Sequence, residues 1–86
     1  MLVKIPSPLR SYTKNQSEVQ ANGSTVTEIL ADLDKQYPGI RFRMIDELNA
    51  IRQHIKIYVD HTQIKDTDVQ LNGQEVIYII CALSGG

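Results

Sequence analysis

The chain has little of what an enzyme, a metal protein or a nucleic-acid binder requires. It carries one cysteine in 86 residues, which excludes an internal disulfide framework and fits a reducing compartment, the cytoplasm. Neither sign of charge is in excess: nine Lys and Arg stand against ten Asp and Glu, a net charge of −1. Without a basic stripe or interleaved aromatics there is no electrostatic case for nucleic acid or an anionic membrane. No apolar run approaches a membrane span, and the first residues hold no signal-peptide core. His54 and His61 have no second ligand at helical spacing, and no CxxC is present, so no metal is expected. A GxxxxGK[ST] phosphate loop is missing, as is any acid–base pair or triad, and an independent enzyme is not expected. Repeats, linkers and low-complexity stretches are also absent, leaving one small domain that buries somewhat over about 60% of its unfolded surface.

What is present begins with Leu2–Ile5, where Lys4 alternates with Val3 and Ile5 as in a half-buried strand. Pro6-Ser-Pro8 stops it. Leu9 to Gln16 is expected to be a polar connection, and Glu18–Ala21 a short second strand with Val19 and Ala21 inward, closed by Asn22-Gly23. Thr25-Val-Thr-Glu28 opens a helix with a reciprocal capping box. Val26, Ile29, Leu30, Leu33 and Tyr37 then make one apolar stripe, and Pro38-Gly39 ends the helix near Tyr37. In 40–52, Ile40, Met44, Ile45, Leu48 and Ile51 suggest a second, shorter helical face with Arg41, Arg43 and Arg52 solvated. His54–Asp60 alternates as a strand with Ile55, Ile57 and Val59 inward. Asp60-His61 turns it into a short return strand at Gln63–Lys65.

The last twelve residues organise the rest. Val76–Leu83 is an unbroken apolar run, the pattern of a strand buried on both faces and hence central in its sheet. It leads into Ser84-Gly85-Gly86, and two terminal glycines occur by chance in roughly 1 chain in 200. A rigid strand that delivers a Gly-Gly carboxylate to solvent points to that carboxylate as the reactive group. The expected division is a domain over 1–83 and an exposed reactive tail over 84–86. A single capped helix on a small mixed sheet is an α+β domain. It becomes a β-grasp if the first two strands pair and the last returns beside the first.

From the Ile5-Pro6 strand end and Leu9-Arg10, through Leu33-Asp-Lys-Gln-Tyr-Pro-Gly-Ile40 and Ile57-Tyr-Val-Asp60, to Ala82-Leu-Ser-Gly-Gly86, the chain resembles the ubiquitin-like sulfur-carrier family. That family includes the molybdopterin-synthase small subunit and the thiamine-biosynthesis carrier, and the likeness is greatest to carriers of cysteine biosynthesis. The chain departs from many relatives in having Leu71-Asn72-Gly73-Gln74 before the last strand and no proline near Cys81. The resemblance implies a β-grasp, ubiquitin-like fold and a Gly86 carboxylate adenylated by a ubiquitin-activating-type adenylyltransferase. Sulfur from a sulfurtransferase or sulfide source then gives a thiocarboxylate that serves a sulfur-accepting biosynthetic enzyme. The chain itself would be a co-substrate binding no cofactor, with ATP and the sulfur donor held by partners. Gly85 and Gly86 have no Cβ, so the tail from Leu83 threads a narrow channel and reaches at most roughly 13–14 Å.

A partner must also grip the body. If Ile77 and Ile79 face the helix, then Val76, Tyr78 and Ile80 face away together with Tyr58 and Lys56, and Leu83 and Ser84 complete the expected contact set. The alternative is that residues 40–51 fold back and cover this patch. Cys81 falls on the Ile77/Ile79 face and is expected to be a small buried hydrophobe. Two rival functions share these residues: a ubiquitin-like modifier forming an isopeptide bond through Gly86, and a non-catalytic subunit that inserts its tail into a partner enzyme.

Overall fold

The computed structural model describes residues 1–82. The strands are β1 (Leu2–Lys4), β2 (Glu18–Gln20), β3 (Ile55–Val59), β4 (Thr62–Ile64) and β5 (Ile77–Cys81), and the helices are α1 (Val26–Gln36) and α2 (Ile40–Met44). The sheet order is β2-β1-β5-β3-β4, so β5 is central. β5 runs parallel to β1 and antiparallel to β3, and the β1–β2 and β3–β4 pairs are antiparallel. The last strand thus returns beside the first, and the expected β-grasp arrangement is present.

α1 forms where its sequence says it should. Thr25 Oγ1 accepts from Glu28 N at 3.2 Å, and Glu28 Oε1 accepts from Ser24 N at 2.7 Å, one residue before the expected partner. Val26, Ile29, Leu30 and Leu33 are buried, with Tyr37 half-buried at the end of the stripe. Each buried aliphatic side chain of this kind is worth about 1.5–3 kcal/mol. They pack in one cluster with Val3, Ile5, Ile55, Ile57, Ile77 and Ile79 of the sheet.

Three expectations need correction. α2 stops at Met44 and does not extend through Leu48. Asp46 Oδ1 accepts from Leu48 N (2.9 Å) and Ala50 N (3.0 Å), and Asn49 takes a φ of +66°, so a tight loop replaces the next helical turn. Ile45 and Ile51 bridge across this loop, and Leu48 stands at its tip, 82% exposed. The 9–16 connection is less polar than its composition suggests, since Leu9 and Thr13 are buried. Thr13 Oγ1 lies 2.8 Å from Gln16 O and 3.3 Å from Arg10 O, and these bonds permit its burial. Finally, β5 is central but buried on one face only: Ile77 and Ile79 are buried, Tyr78 is half-buried, and Ile80 is 44% exposed.

Two turns fix where β5 starts. Asp60, at φ +53°, donates its N–H to Val76 O and accepts from Val76 N through Oδ1, both at 2.9 Å. In the preceding turn the Glu75 carboxylate accepts from Asn72 N and Gly73 N at 3.0–3.1 Å, and Gly73 takes a φ of +96°.

Candidate docking face and carrier tail

β5 positions the candidate site because its alternation sends Tyr78 and Ile80 to the face opposite the helices. Tyr78 stands directly across from Tyr58 of β3, and the same row continues to Gln63 of β4 on one side and Lys4 of β1 on the other. Lys4 is ion-paired with Glu18 of β2. Ile80 pairs in register with Lys56. The two half-buried tyrosines and Ile80 therefore form an apolar strip between charged or amide neighbours. An aromatic cross-strand pair of this type stabilises a sheet by roughly 0.2–1 kcal/mol.

Tyr58, Tyr78 and Ile80 also line a shallow depression of about 310 Å³, together with Asp60 and His61. The sequence marks Asp60-His61 as a turn and does not single out either residue for the docking face. Asp60 has the same strand parity as Tyr58, and that parity was the available signal for its outward placement. Val76 is half-buried beside Asp60 and does not line the depression. Residues 40–51 do not cover it: Ile40, Met44 and Ile45 belong to the core cluster, and none of the segment lines the depression. Leu83, Ser84, Gly85 and Gly86 lie outside the described residues.

The strand's last described hydrogen bond is from Ala82 N to His54 O, at 2.7 Å. Cys81 is a free thiol opposite Ile55, half-buried against the core cluster on the expected face. Among the described residues no cluster of His, Cys, Asp and Glu is arranged to hold a metal ion. No helix among them is long and apolar enough to cross a membrane.

This geometry has close counterparts. The sulfur carrier protein CysO of Mycobacterium tuberculosis is 32% identical over 94 aligned positions, covering 98% of this chain and 96% of the relative. A chain in the crystal structure of the Amycolatopsis orientalis BexX/CysO complex superposes with a TM-score of 0.91 at 28% identity, over 99% of this chain and 98% of that one. The crystal structure of Mycobacterium tuberculosis CysO gives 0.90 at 26% identity, over 95% and 98% of the two chains. The ThiS family model matches residues 3–86. With fold, length and sequence in agreement, the chain belongs to the ThiS family of ubiquitin-like sulfur carriers, proteins that partner enzymes act upon and that are not enzymes themselves.

Proposed function

We propose that the chain carries sulfur as a thiocarboxylate on the α-carboxyl group of Gly86. A carboxylate is a poor acyl donor because its leaving group would be an oxide. The Gly86 carboxylate oxygen therefore attacks the α-phosphorus of ATP held by an activating enzyme, releasing pyrophosphate and leaving an acyl adenylate. Sulfide adds to the acyl carbon, either free or, where a sulfurtransferase persulfide is the source, after a thiol has cleaved that persulfide to release sulfide and leave a disulfide. AMP departs with the C–O bond pair, and the C-terminal thiocarboxylate remains. An acceptor enzyme takes the sulfur, and oxygen from water restores the carboxylate. The likeness to carriers of cysteine biosynthesis favours cysteine as the product, made in the cytoplasm.

The observation that carries this reading is the central strand β5, tied at Ala82 to His54 and running into Leu83-Ser-Gly-Gly86. The strand offers a fixed base from which a partner positions the reacting carbonyl, and positioning is a large part of what such a partner contributes. The strip of Tyr58, Tyr78 and Ile80 supports a protein partner, as does the BexX/CysO complex of a relative. In this reading the body ends at residue 83 and residues 84–86 enter the partner's cleft. Gly86→Ala folds normally and loses most adenylation, because a Cβ at the reacting residue obstructs a channel shaped for glycine.

The deciding test is the intact mass of the protein from its own cells, before and after a reagent that alkylates thiocarboxylates. A species heavier by the exchange of one oxygen for sulfur, and consumed by the reagent, supports the carrier. Adducts joining this chain to other proteins through an amide, with no sulfur-bearing form, put a modifier in its place. Plain carboxylate alone, in a stable complex with another protein, points to a tail-insertion subunit.

A further inference from the structure

A second concavity of about 600 Å³ lies where β5 ends. Its origin is a divergence of strands. β1 accompanies β5 only to the Lys4–Tyr78 pair, because Pro6 has no N–H for the ladder and the chain leaves into a 3₁₀ turn at Ser7–Leu9. β3 stays beside β5 to the Ile55–Cys81 pair. Leu9 and Cys81 both line the resulting groove.

The groove is cationic and aromatic. Arg43, Arg52 and His54 line it with Tyr12 and Phe42, and no Asp or Glu does. Arg43 Nε donates to Tyr12 Oη at 2.8 Å, with its guanidinium 5.9 Å from the ring centroid. Arg52 Nε donates to Phe42 O at 2.7 Å and sits 4.5 Å from that ring's centroid. Both guanidinium groups are thus braced through Nε, and among the described residues their η nitrogens bond to nothing. The neighbouring cations are engaged elsewhere: Arg41 Nη2 donates to Asn49 Oδ1 at 2.8 Å, and Lys4 pairs with Glu18. An arginine held in place by a ring and a hydrogen bond loses little freedom on meeting a carboxylate, and its fork matches that group.

We propose that this groove docks a carboxylate-bearing segment of the protein partner that takes hold of the C-terminal tail. The carrier reading supplies the partner's identity, and the groove supplies the chemistry of its contact. A protein segment fits better than a free anion for two reasons. Phe42, 56% exposed, offers apolar area in the groove that a peptide side chain can cover and an inorganic ion cannot. The groove also abuts Cys81, one residue before the Ala82–His54 bond, and so lies beside the last described stretch of the strand that feeds the tail.

The test is a titration of the full, ¹⁵N-labelled chain with tetraglutamate, tetraglutamine and inorganic phosphate, followed by amide shifts. Tetraglutamate is expected to move Tyr12, Phe42, Arg43, Arg52 and His54 while leaving Tyr58 and Tyr78 in place, with tetraglutamine inert and phosphate much weaker. Arg43→Gln with Arg52→Gln is expected to weaken the peptide roughly tenfold. Arg43→Gln alone, at an exposed position, gives part of that loss in a chain whose spectrum is otherwise unchanged. Shifts spread over all cations, equal binding of phosphate, or peptide affinity indifferent to both substitutions would overturn the proposal. None of these readouts involves Gly86, so the groove and the thiocarboxylate stand or fall separately.

Discussion

Gly23→Ala probes how closely the β2–α1 connection is packed. A Cβ at Gly23 would lie 2.7 Å from Glu28 Cβ, 2.8 Å from Ile29 N and 2.9 Å from the Glu28 carbonyl carbon. Two of these are backbone atoms in the first turn of α1 and have no rotamer by which to escape. Nor does the helix have room to retreat, since Val26, Ile29, Leu30 and Leu33 are each at most 1% exposed. Overpacking costs about 1–3 kcal/mol, and an immovable backbone places this case near 3 kcal/mol. Restricting the unfolded chain returns about 0.4–1 kcal/mol, leaving a net loss of about 2–2.5 kcal/mol. At roughly 4–8 °C per kcal/mol for a domain of this size, Tm falls by about 8–20 °C. Gly73→Ala is the matched control. Nothing lies within 4 Å of its new Cβ, but φ is +96°, and the cost is conformational, about 1 kcal/mol. Thermal unfolding followed by far-UV circular dichroism measures both. A Gly23→Ala protein as stable as its parent, or harmed less than Gly73→Ala, would refute the packing argument.

Tyr78→Asp removes one half of the Tyr58–Tyr78 pair on the open face. It should cost about 1 kcal/mol of stability but, under the proposed function, roughly thirtyfold in affinity for the activating enzyme; calorimetry and a binding assay on the same variant separate the two. Met44, fully buried, loses about 2–5 kcal/mol on truncation to alanine. Leu48→Ala, at the exposed loop tip, changes urea stability by under about 0.5 kcal/mol, and equal losses would mean that α2 continues after all. Backbone hydrogen bonds from Asn72, together with Gly73, hold the Glu75 carboxyl below its usual value of 4.5, against a smaller opposing effect of burial. Because the folded value is the lower one, this contribution to stability is present above 4.5 and is lost as pH falls through the depressed value. Glu75→Gln should therefore flatten the acid limb of a stability–pH curve, and a limb of unchanged slope counts against it.

Local signals were legible in this chain and long-range ones less so. Thr25, Glu28 and the stripe from Val26 to Leu33 declare α1 because cap and periodicity lie within a few turns. The alternation around Lys4, Val19 and Ile57 likewise gave strand faces. The second helical face holds over Ile40–Met44 and fails beyond it because the competing interaction belongs to Asp46, whose carboxylate gathers the amides of Leu48 and Ala50. Hydrophobic spacing alone carries no trace of that competition. Thr13 was hidden for the opposite reason, being polar by type and buried by its hydrogen bonds. The final strand was over-read because Tyr78 and Ile80 look the same whether core or partner is meant to cover them. The convergence of Arg43 and Arg52, nine positions apart, depends on the Ile45–Ile51 bridge that folds the segment back on itself.

Under the proposed function, chemistry and recognition must reside in different parts of the chain. Gly85 and Gly86 have no side chains, so a partner that reads only the tail has little with which to tell this carrier from any other glycine-ended chain. Discrimination must come from the body, at surfaces held in fixed relation to the strand that feeds the tail. β5 meets this need because β3 pairs with it along its whole length, from Val59–Ile77 to Ile55–Cys81. Its outward residues Tyr78 and Ile80 line one concavity, and Cys81 lines the other. A partner touching both surfaces brackets the strand's end and fixes where the tail begins. Substitutions at Tyr78 or Arg43 should then change how well the chain is loaded at limiting partner and be rescued by excess partner. Substitutions at Gly86 should not be rescued, because they obstruct the tail's path to the reacting position and leave docking of the body intact.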